Sequence, residues 1–553
     1  MDFKSGVIYQ AYIRSFNDTD GSGIGDLKGI TEKMPYLEKL GVEMVWINPF
    51  YPSPQNDNGY DISDYYGIDP EFGTMEDFDE MVRVGEKHNV GIMMDLAINH
   101  SSTEHEWFQK ALAGDEEYQD YYILREAPEG QEFPTNWESK FGGPAWEPFG
   151  DTGKFYLSLF DPTQADLNWR NPAVREEAAK IVNYWMDKGV KGFRLDVINL
   201  IGKDEKYVNS TGDIAQEKSL YTDRPLVHDY LKELNARSFG LDPDFVTVGE
   251  MSSTSIENSI GYTNPENKEL SMAFSFHHLK VDYPGGEKWT KAPFDFLELK
   301  RIMNDWQIGM SENSGWNALF WNNHDQPRTI SRFGNDEEYR TQTATSQAHI
   351  LHFLHGTPFI YQGEEIGMTD PYFTELEQYQ DVESHNAYNI LVKNGKTHDE
   401  AMAILMQKSR DNSRTPMQWS ADENAGFTTG TPWIQVADNY KEINVEKELK
   451  EGEIFPYYQK LIQLRKDLEI IQVGAYEPMF LEHEQVWAYR RLHENQELIT
   501  FSNFYGDPLK LNISSEVEEG NWEYLIGNYG EKEFSQNLEL APYEAISFIK
   551  TTN

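Results

Sequence analysis

A (β/α)8 TIM barrel with a small inserted domain and a C-terminal antiparallel β-sandwich is the fold this sequence predicts. Three observations predict it. Eight short apolar, β-branched runs are spaced through the first 361 residues. Amphipathic, helix-like stretches lie between them. Polar side chains gather just after several different runs, where a barrel collects its active site. An open doubly wound sheet is the alternative, and the spread of polar groups over several strand ends favours the barrel.

The eight runs are Val7 to Phe16, Val42 to Pro49, Val90 to Ile98, Val190 to Val197, Phe245 to Glu250, Met272 to His277, Ala318 to Asn322 and Pro358 to Tyr361. Among the intervening stretches, Val174, Ala178, Ile181, Val182 and Trp185 fall on one helical face. Ile30, Met34, Leu37 and Gly41 do the same. The segment from about Ser101 to Asp166 is too long for a βα loop and is rich in Trp, Gly and Pro, so it reads as a small domain inserted after the third strand. From about Gly474 the pattern becomes short alternating strands with turn signals, as in Val486-Trp-Ala-Tyr-Arg490. The expected partition is barrel over 1–100, inserted domain over 101–170, barrel again over 171–473 with a long insertion at about 367–454, and a sandwich over 474–553.

The chain has 553 residues, more than one compact core accommodates, so several domains are expected. Acidic residues number 93 against 48 basic ones, for a formal charge of -45. That field repels phosphate backbones and anionic membranes, which argues against nonspecific nucleic-acid or membrane partners. There is no cysteine, so disulfides and thiol catalysis are excluded. The 14 Trp and 31 Tyr fit stacking on sugar rings, although core packing accounts for most aromatics in any chain. No apolar signal region follows Met1 and no apolar run is long enough to span a bilayer. A cytoplasmic, monomeric enzyme is the expectation.

Four strand ends carry chemistry: Asp95-Leu-Ala-Ile-Asn99-His100, Gly192-Phe-Arg194-Leu-Asp196-Val197, Gly249-Glu250-Met251 and Asn322-Asn323-His324-Asp325-Gln326. Glycoside hydrolysis needs one carboxylate to attack and one carboxylic acid to protonate the leaving oxygen. Asp196 lies two residues after Arg194, so both side chains point to the same side of the strand, and the cation favours an ionised, attacking Asp196. Glu250 follows the apolar run Phe245-Val-Thr-Val248, whose desolvation suits a general acid. Asp325, beside His324, suits binding sugar hydroxyls and stabilising positive charge at the anomeric carbon. A single acid after a strand is usually structural. Four polar strand ends converging on one barrel face are harder to dismiss.

These four segments resemble the conserved regions of the α-amylase superfamily of glycoside hydrolases, and the resemblance covers nearly the whole chain. It implies a retaining double displacement with Asp196 as nucleophile, Glu250 as acid/base and Asp325 as transition-state stabiliser. No catalytic cofactor is implied. It also implies that Tyr65, His100, Arg194 and His324 line the glucose subsite. Asp61 in Asn58-Gly-Tyr-Asp61 and Arg414 in Asn412-Ser-Arg414-Thr-Pro416 would grip the terminal glucose, as in the exo-acting α-glucosidases. The loop Asp18-Thr-Asp20-Gly-Ser22-Gly-Ile24-Gly-Asp26 places acidic groups at alternate positions, a spacing that suits Ca2+, and it resembles the metal loop of this branch with Ser22 in place of an acid. The other reading of this loop is a glycine-rich Asx turn. Val197 resembles the branch acting on α-1,6 and related links; the other reading is an ordinary buried strand valine.

A narrower resemblance rests on Pro134 to Gly143, Gly249 to Ser253, Ser275 to Tyr283 and Ser409 to Arg414, which together are similar to the trehalose-6-phosphate hydrolase family. The partner implied is a small-molecule sugar phosphate, split into glucose and glucose 6-phosphate. His277, His278, Lys280 and Lys288 follow the sixth strand and form a cationic cluster in an acidic chain, with Lys203 and Lys140 as further candidates for a phosphate. The alternative is a solvated loop whose lysines pair with Asp282 and Glu287. Two other functions stay open: an oligo-1,6-glucosidase or dextran glucosidase acting on neutral isomalto-oligosaccharides, and a barrel that has lost catalysis and only binds. The presence of all three acids weighs against the last.

Overall fold

The computed structural model describes residues 2–551. Eight parallel strands close into a barrel in sequence order. They are β1 (Ile8–Ala11), β2 (Met44–Ile47), β3 (Gly91–Leu96), β4 (Gly192–Leu195), β5 (Val246–Glu250), β6 (Met272–Phe274), β7 (Asn317–Leu319) and β8 (Thr357–Tyr361). Each falls on one of the eight apolar runs. Parallel strands are covered on both faces, which is why nearly all of their residues are buried. All but β8 are shorter than the runs, because the chain turns as it leaves the barrel. After β4 it enters a 3-10 turn at Ile198–Leu200, and β7 stops at Leu319, short of Asn322.

The helices follow the predicted faces. Helix α1 (Leu27–Leu40) buries Ile30, Met34 and Leu37. Gly41 does not extend that face; it caps the helix with φ 100°, a left-handed conformation that suits glycine. Asp26 caps its other end by accepting from the Gly29 amide. Helix α2 (Pro172–Asp187) buries Val174, Ala178, Ile181, Val182 and Trp185.

The residues group into two compact units. The first holds 46–276 with 314–316. Within it, His100–Ser102 pairs antiparallel with Gln164–Asp166, and Lys154–Leu157 lies between Leu124–Glu126 and Trp146–Pro148 in a second small sheet. A core of Ile123, Trp137, Trp146, Leu157, Leu200 and Val197 underlies this region. The second unit holds 2–45, 277–313 and the residues from 317 onward. Its last part carries two antiparallel sheets, one of five strands and one of two. Val486, Ile499, Phe501 and Phe548 of the larger sheet and Leu511, Leu538 and Leu540 of the smaller share one core, the packing of a sandwich. The segment over 367–454 is helical, with helices at Val382–Lys393 and His398–Lys408.

Candidate active site

Register sets the first cluster. Asp95 on β3 is the partner of Arg194 on β4, and Val248 on β5 lies on Arg194's other side, two residues before Glu250. Arg194 Nη1 is 2.8 Å from Asp95 Oδ1 and 2.6 Å from Asp196 Oδ1, and its Nη2 contacts Glu250. The guanidinium is buried and also lies 5.2 Å from the Trp46 ring centroid. Trp46 Nε1 and the Tyr60 hydroxyl donate to the far oxygen of Asp95, at 3.1 and 2.8 Å. Asp196 and Glu250 thus meet the same guanidinium.

One guanidinium thus serves three carboxyl groups, and it cannot neutralise them all. Burial pushes the Asp196 carboxyl above its ordinary value, Arg194 opposes the shift, and Asp95 adds to it. Asp95 is pushed up to about 6, chiefly by burial. Arg194 favours the ionised Asp196 as expected, but its charge is shared among three carboxyl groups and burial works against it. Asp95 was quoted in the sequence pattern but given no role there.

The backbone stores strain at this point. Val197, directly after Asp196, has φ 37° and ψ 40°, left-handed values that a β-branched residue rarely adopts. Its side chain is buried in the core with Trp137 and Leu200, which holds the turn in place.

His100 is buried, with Nε2 3.2 Å from both the Tyr60 carbonyl oxygen and Gln164 Nε2. Burial lowers its pKa, favouring the neutral ring. Asp61 is fully buried and accepts from the Asn56 and Asp57 amides and from the Ser53 hydroxyl at 2.9 to 3.1 Å. The loop is wound around this carboxylate; burial raises its pKa and the three donors oppose the rise.

Two candidates have other work. The Tyr65 hydroxyl donates to the Ala97 and His100 carbonyls at 3.0 and 2.8 Å, so it props the His100 loop from behind. Lys203 is buried, and its ammonium lies 2.8 Å from Asp166 Oδ2, 2.8 Å from Asn99 Oδ1 and 2.7 Å from the Leu200 carbonyl. Three internal partners use its three protons, which removes it from the phosphate readers. Lys140 reaches the Ser252 hydroxyl, two residues past Glu250.

In the second unit Asp325 is the centre. Arg414 Nη2 lies 2.6 Å from its Oδ1, His324 Nε2 3.3 Å from its Oδ2 and Arg410 Nη1 3.5 Å from its Oδ1. Arg414 Nε also donates to the His324 carbonyl at 2.7 Å. His324 stacks on Tyr12, ring centroids 5.8 Å apart, with Gln10 Nε2 2.8 Å from its Nδ1. Behind Asp325, Arg410 grips Asp381 at 2.6 and 2.8 Å and approaches Glu383 at 3.2 Å. Asp381 is held well below the usual carboxylate range: burial works against its charge, and Arg410 and Arg414 overcome it. Arg410, Asp381 and Glu383 were not identified from the sequence.

Lys288 ends this chain of charges, 2.8 Å from Glu383. It does not pair with Asp282, which binds Arg332 and Lys408 at 2.7 and 2.6 Å. His278 is buried, with Nε2 3.0 Å from the Phe320 carbonyl oxygen, so it braces the segment after β7 and does not face a ligand. Lys280 is exposed.

The loop after β1 brings one carboxylate oxygen each from Asp18, Asp20 and Asp26 within 4.8 Å of one another. The Ser22 hydroxyl is 3.2 Å from the Ile24 carbonyl oxygen. An all-oxygen set of this kind fits a hard divalent cation. Backbone amides of Asp20, Gly21 and Gly23 already donate to Asp18, as in an Asx turn.

Comparison with known proteins matches residues 10–474 to the family model of the α-amylase catalytic domain. The chain belongs to the α-amylase family of glycoside hydrolases. Within that family it is 52% identical to a trehalose-6-phosphate hydrolase of Bacillus subtilis, over 99% of this chain and 98% of that one. It is 44% identical to an oligo-1,6-glucosidase of Bacillus cereus, over 99% of each. Among solved structures, the trehalose-6-phosphate hydrolase of Bacillus licheniformis superposes with a TM-score of 0.96 at 48% identity and full coverage of both chains. Among the described residues, no helix of this α-amylase family member is long and apolar enough to cross a membrane.

Proposed function

We propose that this chain is a retaining hydrolase of α,α-trehalose 6-phosphate. The observation that carries the reaction is that Asp196 and Glu250 are both held by one guanidinium. Two carboxyl groups drawn to one guanidinium suit the close pair of a retaining enzyme and its covalent glycosyl intermediate, not the wider, water-bearing gap of an inverting one. Asp196 attacks the anomeric carbon of the unmodified glucose while Glu250 protonates the bridging oxygen, releasing glucose 6-phosphate. Glu250 then takes a proton from water, the water oxygen attacks the same carbon, and Asp196 leaves with its electron pair, releasing glucose. Asp325, oriented by Arg414, stabilises positive charge developing at the anomeric carbon. His100, His324, Asp61 and Arg414 hold the glucose ring. All steps run on carboxyl groups and water.

The phosphorylated substrate is favoured by the 52% and 48% identity to two trehalose-6-phosphate hydrolases. It is also favoured by Lys280 and Lys288, the two lysines of the predicted cationic loop, which remain at least partly exposed. A neutral isomalto-oligosaccharide is the second reading, favoured by the engagement of Lys203 and His278 inside the protein. Both are tested with initial rates on trehalose 6-phosphate, trehalose and isomaltose, for the protein and for Lys280→Ala/Lys288→Ala. The first reading predicts preference for the phosphorylated sugar, and a loss of tenfold or more in kcat/KM for it alone in the double variant, as expected for about 1.5–3 kcal/mol of charged hydrogen bonding. Faster turnover of isomaltose, or equal losses on every substrate, would sink it.

We also take Asp18, Asp20, Ser22, Ile24 and Asp26 as a structural Ca2+ loop, on their oxygen geometry. A doubly charged sugar phosphate does not cross a bilayer unaided, so this reading carries a cytoplasmic location with it. The chain is read as acting alone as a monomer, with 101–170 and 474–553 as the inserted and C-terminal domains of the barrel enzyme.

A further inference from the structure

A small cavity lies behind the segment that carries Asp325, lined by Trp321, Asn322, Arg328, Thr329, Gln347 and Glu364 among others. All six are buried. Five side-chain atoms there have no hydrogen-bond partner among the described residues: Asn322 Nδ2, Arg328 Nε, Thr329 Oγ1, Gln347 Oε1 and Glu364 Oε1. Buried polar groups are nearly always satisfied, and five in one cavity call for a common partner.

Their chemistry selects that partner. Backbone groups fix which atom of each amide faces the cavity. Asn322 Oδ1 accepts from the Thr329 amide and Gln347 Nε2 donates to the Thr329 carbonyl, both at 3.4 Å. Asn322 and Arg328 therefore present donors. Gln347 presents an acceptor, Glu364 an oxygen that accepts in either protonation state, and Thr329 a hydroxyl that does either. An anion would leave the acceptors facing like charge, and a cation would face two donors. A water molecule accepts two hydrogen bonds and donates two, which matches the set. The cavity has a volume of about 10 Å3, room for one water molecule.

Asn322 stands three residues before Asp325, and Arg328 three after it. The other hydrogen bonds of the Arg328 guanidinium run to backbone: Nη1 to the Gln362 carbonyl at 2.9 Å and Nη2 to the Ser413 carbonyl at 3.4 Å. Both ends of the segment bearing His324 and Asp325 are thus anchored by side chains that meet at this cavity. We propose that the cavity is a binding site for one ordered water molecule, held by Asn322, Arg328, Thr329, Gln347 and Glu364, and that this water fixes the position of Asp325. Thr329 is then a positioning residue.

The inference rests on the role proposed for Asp325, and two measurements separate the failures. A crystal structure of the full chain, with bromide and rubidium soaks, reads the occupant directly. Ordered density within hydrogen-bonding distance of Arg328 Nε and Gln347 Oε1, with no anomalous signal, is expected. An anomalous ion, or a dry cavity closed by a direct Arg328–Gln347 bond, overturns the site. Thr329→Val removes only the hydroxyl, and Thr329→Ser keeps it. On p-nitrophenyl α-glucoside the first should lower kcat roughly tenfold with KM little changed, within the ~100-fold that a 1 Å misplacement costs, and the second should restore it. Equal kcat for the two overturns the positioning role. If Asp325→Asn is itself silent, the reading of Asp325 fails; if it is inactive and the cavity is dry, only this inference fails.

Discussion

Arg194 carries an unequal load: one buried cation among Asp95, Asp196 and Glu250. Asp95 is the member that touches no substrate in the proposed chemistry, yet its charge raises Asp196. Asp95 is itself held at about 6. The acid limb of activity reports the ionisation of Asp196 in this environment. Asp95→Asn removes a negative neighbour, which lowers the pKa of Asp196, and it deletes the group near 6 as well. The acid limb of kcat/KM on p-nitrophenyl α-glucoside should therefore move to lower pH, and kcat should fall because Arg194 loses its register partner. A profile of kcat/KM from pH 4 to 9 checks this. An upward shift, or none, contradicts the shared-cation account. The alternation Arg194-Leu195-Asp196 was legible in the sequence because strand periodicity alone puts the two side chains together. The third claimant was not, because pairing between β3 and β4 is a property of the register and no local pattern encodes it.

At the scale of elements, the loop over Asp18 to Asp26 is built to be tightened. Asp26 caps α1, and its carboxylate also accepts from Thr19. A Ca2+ ion bridging Asp18, Asp20 and Asp26 would couple β1 to α1. EDTA should lower the melting temperature by several degrees, as expected for loss of a ligand that binds only the folded state, and added Ca2+ should restore it. A melting temperature indifferent to both means that the loop is an Asx turn and nothing more. The eight strands were readable because each buries both faces and so reads as a short apolar run. Their ends were overestimated where the chain breaks into turns that carry function, as at Val197. The brace of Arg410, Asp381 and Glu383 was not readable. It lies in the segment over 367–454, and its ion pairs join residues about thirty positions apart with no periodic signature. Lys203 and His278 mislead for a related reason: sequence reports a charge, and only folding shows that internal partners consume it.

At the scale of the whole molecule, the charge of -45 makes buried acids the sensitive groups. Glu364 is buried beside β8 and its carboxyl is pushed up to about 8 by burial. The sign follows from linkage. Unfolded, the group ionises near its ordinary value of 4.5, while folded it keeps its proton until about 8. Its stabilising contribution is complete below the unfolded value and is lost as pH rises through the folded one. Glu364→Gln, which keeps the shape and cannot ionise, should gain melting temperature over the parent protein between pH 5 and 8.5. A constant difference across that range would contradict a protonated Glu364. The barrel, the three carboxylates and the sugar-phosphate reading together make one stereochemical claim, and proton NMR of the first minutes of trehalose 6-phosphate hydrolysis tests it most directly. Two displacements at one carbon predict that the glucose released is initially the α-anomer and then mutarotates. Glucose appearing first as the β-anomer would contradict the account.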